Sequence, residues 1–152
     1  MTELLNTMRN AVGHFHPALV HFPIALLLTG AALETWQVVR RTGVRSDAGR
    51  LLLYAGLLGA VAAAVSGLLL FHPGDFRGRT LEAAYVHRVL GIATALGALA
   101  TAVVGAMGRP GGTGATRLRL YRFLYGMSAL LAGLAGHYGG WIVFGWGRVW
   151  TF

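Results

Sequence analysis

Four apolar runs, each long enough to cross a bilayer, constrain this chain more than any other feature. They cover about 17–39, 51–71, 81–107 and 118–138. A hydrocarbon core about 30 Å thick takes about 20 apolar residues of helix to span. The expected fold is therefore all-α, an up-down bundle of four transmembrane helices. It forms a single domain over residues 1–152, with an interfacial aromatic tail over 139–152.

Local signals bound each run. Pro17 suits the first turn of a helix, where its missing N–H costs nothing, and Pro23 is close enough to the start to give at most a mild kink. The second run, Leu51 to Phe71, holds no charge and meets His72-Pro73-Gly74, a strong breaker. Thr80 is the expected cap of the third run, which Arg109-Pro110-Gly111-Gly112 ends. The fourth is expected to stop at Gly139-Gly140, read as a turn. The first run is too long for the core of a signal peptide, and Arg40, Arg41 and Arg45 follow it in place of a small-residue cleavage site.

Composition narrows the function classes. Only 12% of residues are charged, against about a quarter in a soluble domain. The absence of cysteine excludes disulfides, thiolate metal sites, covalent haem attachment and cysteine nucleophiles. A net charge of +8, from thirteen arginines and no lysine, invites a nucleic-acid reading. The arginines sit between apolar runs, however, where membrane topology uses them, so lipid is the expected partner and nucleic acid is not. Arg40, Arg41, Arg45 and Arg50 share one side with Arg109, Arg117, Arg119 and Arg122. That side is expected to be cytoplasmic, with both termini on the periplasmic side of a bacterial inner membrane. Trp141, Phe144, Trp146, Trp150 and Phe152 fit an aromatic belt at the outer face. No GxSxG, HExxH or phosphate-loop pattern occurs, and enzymatic activity by this chain alone is not expected.

The six histidines carry the functional signal. His14, His16 and His21 lie before or at the start of the first helix, His72 closes the second, His87 is about two turns into the third and His137 is near the end of the fourth. An up-down chain brings all of them to the outer side. The bland reading is that amphipathic rings sit comfortably at an interface, and it is preferred for His14 and His72. His21, His87 and His137 fall within or against apolar helix, where ionisable groups mark function by default.

Neutral imidazole binds iron, copper or zinc, and facing histidines in a bundle can hold a b-type haem without cysteine. Below His87 lie Gly91, Thr94, Ala98, Thr101 and Gly105, and below His21 lie Ala25, Thr29 and Ala32. These small faces leave room for a macrocycle, or else let helices pack closely. Glu34 lies thirteen residues from His21, about 20 Å along a helix. It is too far to share the site, and pairing with a nearby arginine at the interface is its expected role. Arg88 is a candidate for a haem propionate or a lipid phosphate.

The segment His14-Phe15-His16-Pro17-Ala18-Leu19-Val20-His21-Phe22-Pro23-Ile24 resembles the signature of a bacterial membrane family, domain of unknown function 2231. Ser66-Gly67-Leu68-Leu69, His87 and Gly139-Gly140-Trp141-Ile142-Val143-Phe144-Gly145 extend the resemblance through most of the chain. Members often carry or neighbour c-type cytochrome or Rieske domains, which implies an electron-transfer setting. This chain departs by lacking a fused redox domain, so it is expected to work alone or as a subunit.

The expected function is a membrane electron-transfer subunit binding b-type haem near the periplasmic face. His21 and His87 are the expected axial pair, with His137 as the substitute and His16 as a further cofactor-binding candidate. A copper or zinc ion held by His21, His87 and His137, joined by His16, is a variant of the same idea. The alternative is a cofactor-free structural anchor in a respiratory or other redox complex. Redox membrane subunits or a c-type cytochrome are the expected protein partners.

Overall fold

A computed structural model describes residues 14–107 and 114–145, together with Thr7 and Ala11. Helix α1 (His16–Leu19) leads through Val20 into α2 (His21–Val39). Then follow α3 (Asp47–Leu70), α4 (Arg79–Ala106) and α5 (Ala115–Phe144), with one 3-10 turn, Pro73–Asp75, between α3 and α4. Among the described residues there is no strand. Val20 keeps right-handed helical dihedrals, so α1 and α2 make one pass, and four helical passes are long and apolar enough to span a membrane. The expected all-helical, four-span fold is thus observed. Arg9, the Arg109-Pro110-Gly111-Gly112 stop and the aromatic residues Trp146, Trp150 and Phe152 lie outside the described residues.

The helix limits differ from expectation for identifiable reasons. Helix α3 starts four residues before the uncharged run, because Ser46 caps it by accepting a bond from the Gly49 N–H at 3.0 Å. Asp47 then sits in the first turn, where the helix dipole favours an anion. Helix α4 begins after Gly78, whose positive φ of 54° makes the turn, so Thr80 lies inside the helix rather than capping it. Helix α5 does not stop at Gly139-Gly140. It continues to Phe144 and ends at Gly145, whose φ is 81°. Trp141 and Phe144, expected in an interfacial tail, therefore belong to the last turns of α5.

Each pass packs against the next, and α5 packs on both α4 and α2, which closes the bundle into a ring. Its core is built largely from small residues. Thr94, Ala98, Thr101 and Ala102 of α4 face Ser128, Ala129 and Ala132 of α5, all buried. Large apolar side chains such as Leu51, Leu58, Val89 and Leu96 point outwards. A water-soluble bundle does the reverse, since it must hide leucine from water. In lipid the outside is as apolar as leucine, and close approach of small residues holds helices together.

Thr94, Thr101 and Ser128 each donate to the carbonyl four residues earlier on their own helix, at 2.8 Å. Thr101 Oγ1 and Ser128 Oγ also meet across the α4–α5 contact at 3.5 Å.

Candidate functional site

At the end of the bundle where α1 starts and α5 finishes, a cavity of about 530 Å³ opens between the passes. Its lining includes His16, His21, Gly67, His87, Arg88 and Gly139. A volume of this size is ordinary for a small-molecule or cofactor site, which runs from about 300 to 1,000 Å³.

Two imidazoles meet in it. The His16 and His87 ring centroids are 5.9 Å apart, with ring planes at 80°. Each ring rests on a glycine. A Cβ on Gly67 would stand 2.7 Å from His16 Cε1, and one on Gly139 would stand 3.2 Å from His87 Cε1. Gly139 is therefore a seat for an imidazole against the backbone of α5, which is why it interrupts nothing.

Hydrogen bonds orient both rings through Nδ1. His87 Nδ1 lies 2.7 Å from the Ala135 carbonyl oxygen. That oxygen can only accept, so Nδ1 carries the proton and Nε2 keeps its lone pair. His16 Nδ1 lies 3.1 Å from Ser66 Oγ. Ser66 Oγ also lies 3.0 Å from the Ala63 carbonyl; with its one proton donated there, Ser66 accepts from His16 Nδ1 and Nε2 is bare. An imidazole whose Nδ1–H is held by a backbone carbonyl or another oxygen is the usual arrangement of a metal-ligating histidine, with orientation and tautomer both fixed.

The other histidines are placed differently. His21 lines the cavity, but it is exposed, and its Nδ1 donates to the Pro17 carbonyl on its own pass at 2.7 Å. His137 is not among the lining residues; its ring packs on Trp141 at 4.5 Å. His72 Nδ1 donates to the Leu70 carbonyl at 2.9 Å and sits 4.0 Å from Asp75 in the turn before α4. His14 is exposed. The close pair is thus His16 with His87, whereas His21 with His87 was expected. Among the described residues no three histidine, aspartate or glutamate side chains converge on one point as a metal site would require.

Helical phase explains the exchange of His21 for His16. The interior face of α2 carries Pro23, Leu27, Gly30 and Glu34, a spacing of three or four. Traced backwards it reaches Val20 and His16, and it misses His21 by one residue. Ala25, Thr29 and Ala32, read as a small face below His21, are accordingly exposed. On α5 the buried series ends at Ala132 and Ala135, which continues to Gly139 and not to His137. The face below His87 is as expected: Gly91 and Thr94 line the cavity, and Ala98, Thr101 and Gly105 are buried below it.

The opposite end holds a second polar cluster. Glu34 is 2% exposed. One carboxylate oxygen accepts the Ser46 N–H at 2.8 Å and the other accepts Arg122 Nε at 3.2 Å. Arg122 also donates to the Val44 carbonyl at 2.8 Å, Arg45 to the Gly105 carbonyl at 2.6 Å, and the Tyr125 hydroxyl to the Gly49 carbonyl at 2.8 Å. The expected arginine pairing of Glu34 is present, but in the interior rather than at the interface. Nearly every group here is bonded to another part of the same cluster, which describes a clasp on the α2–α3 loop. The Tyr121 hydroxyl is the exception, buried with no hydrogen-bond partner among the described residues.

A family model described as "Predicted membrane protein (DUF2231)" matches residues 14–149. No curated protein and no solved structure matches the chain.

Proposed function

The chain belongs to the DUF2231 family of predicted membrane proteins, and on that premise we propose that it is a membrane electron-transfer subunit holding one b-type haem between His16 and His87. The observation that carries this reading is that each Nδ1 meets an oxygen on another pass, Ser66 Oγ for His16 and the Ala135 carbonyl for His87. With Nδ1 donating to those oxygens, both Nε2 lone pairs are left for a ligand. The rings sit in an apolar cavity rather than in bulk water.

Ligand number favours haem over a bare ion. A structural zinc ion takes four protein ligands, and a catalytic one takes three. No such trio exists among the described residues. A haem brings its own equatorial nitrogens and asks the protein for two axial ones. Without cysteine the haem is held non-covalently. When bound it supplies a one-electron couple, and the chain's own residues do the rest. Ser66 and the Ala135 carbonyl fix the two imidazoles, and the apolar walls keep water from them.

Charge bias supports a cytoplasmic position for the arginine-rich end, with Arg40, Arg41, Arg45 and Arg50. The site then lies towards the periplasm, at a bacterial inner membrane. There a c-type cytochrome or a Rieske protein is the natural electron partner, and other subunits of a redox complex can dock on the same bundle.

The test is a visible spectrum of the protein purified in mild detergent, oxidised and then reduced with dithionite. The expected result is a sharp Soret band with reduced α and β bands. These are lost in His16→Ala and His87→Ala and kept in His137→Ala. A colourless protein from haem-supplied cells would replace this reading with that of a cofactor-free anchor.

A further inference from the structure

The cavity is lopsided in charge. Among the described residues its lining contains no aspartate or glutamate, and Arg88 is the one arginine there. The guanidinium of Arg88 stands over the Phe71 ring, 5.2 Å from its centroid. Among the described residues no carboxylate lies within ion-pair distance of it. A cation resting on an aromatic face keeps its in-plane N–H groups available, and those groups match a carboxylate two at a time. Arg88 also follows His87 directly, so the residue that would hold the centre of a flat ligand and the one that would meet its edge share one turn of α4.

We infer that Arg88 is the carboxylate-binding residue of this cavity, so that its ligand class is a planar tetrapyrrole bearing free carboxylates. The inference rests on the haem reading above for the identity of the flat body. The charge argument stands on the lining alone. Phosphates of surrounding lipid are the competing anions for an exposed arginine. Lipid would engage Arg88 whatever the cavity held, and that difference is measurable.

Metal-free protoporphyrin IX separates the two contributions, because it has the carboxylates and no iron for histidine to ligate. Its fluorescence would be titrated with full-length protein in detergent, against the dimethyl ester of the same porphyrin. A charge-assisted hydrogen bond corresponds to roughly a ten- to hundredfold affinity difference, so the free acid should bind about that much more tightly than the ester. Arg88→Gln should remove the preference, and Arg88→Lys should keep part of it. Arg88 is exposed, so these changes leave the fold in place. His87→Ala should retain the preference while losing haem. Equal binding of acid and ester by the unaltered protein, a preference that survives Arg88→Gln, or no porphyrin binding at all would overturn the inference. If haem is coordinated but its ester binds equally well, the axial reading stands and this one falls. If porphyrin binds with the preference but haem gives no six-coordinate spectrum, the reverse holds.

Discussion

The hydroxyl of Tyr125 occupies the space that any side chain at Gly30 would need. It donates there to the Gly49 carbonyl at 2.8 Å, so α2, α3 and α5 are joined at one point where only glycine fits.

Gly30→Ala should therefore destabilise the bundle by about 1–3 kcal/mol, the usual cost of forcing a methyl into a packed interior. The check is reversible unfolding in mixed detergent. Combining it with Tyr125→Phe, which removes the obstructing oxygen, should cost less than the sum of the single changes, as expected for residues in contact.

Removing one half of the Glu34–Arg122 pair leaves the other charge inside the protein, where such breakage costs about 3–5 kcal/mol. Glu34→Leu should fall in that range. Glu34→Leu with Arg122→Leu should be less damaging than Glu34→Leu alone, because two uncharged side chains need no partner. Unfolding midpoints of the three proteins decide it, and a double variant worse than the single would show that the pair is worth more than its burial costs.

Ser66 is the residue that holds His16 in register. Ser66→Ala removes the acceptor of the Nδ1–H, and the loss of such an outer partner typically weakens metal binding about 10- to 100-fold. Haem titration into the purified protein measures it, with circular dichroism as the control for folding.

Gly67→Ala should act on the same ring by displacement. Its methyl would stand 2.7 Å from His16 Cε1, whereas that of Gly139→Ala would stand 3.2 Å from His87 Cε1. The first should reduce haem occupancy more than the second. Haem-to-protein ratios after purification give the ranking, and the opposite order would mean that His87 is the less tolerant ligand.

The Tyr121 hydroxyl is buried without a hydrogen-bond partner among the described residues. An unsatisfied buried hydroxyl costs about 1–3 kcal/mol, so Tyr121→Phe should leave stability unchanged or raise it. A loss of more than about 1 kcal/mol, the typical net worth of a hydrogen bond, would reveal a water or lipid oxygen bound there.

The spans were legible in the sequence because length and apolarity suffice to define them. Their ends were not, since Ser46 acts through a side-chain cap and Gly78 through a positive φ, neither of which a hydropathy run registers. Gly139 was misread as a stop because a glycine that breaks a helix and one that admits a neighbouring ring are the same letter. The apolar surroundings of His87 were legible. Its contact with His16 was not, because His16 sits outside the apolar run, beside Pro17. The clue was Glu34: an acid inside a transmembrane helix faces the interior, and at about 3.6 residues per turn His16 lies about five whole turns before it, whereas His21 falls between turns.

The two ends of the bundle are held by different chemistry. At one end Arg45, Arg122 and Tyr125 each reach a backbone carbonyl of another element, and Glu34 ties the α2–α3 loop to α5. At the other end His16 meets a serine and His87 a carbonyl on neighbouring passes. Local opening follows such differences. Amide exchange should be slowest around Ser46 and Gly49 and should quicken towards Gly67 and Gly139. On that pattern the proposed haem would enter between the passes at the histidine end, with the clasp at the far end still closed.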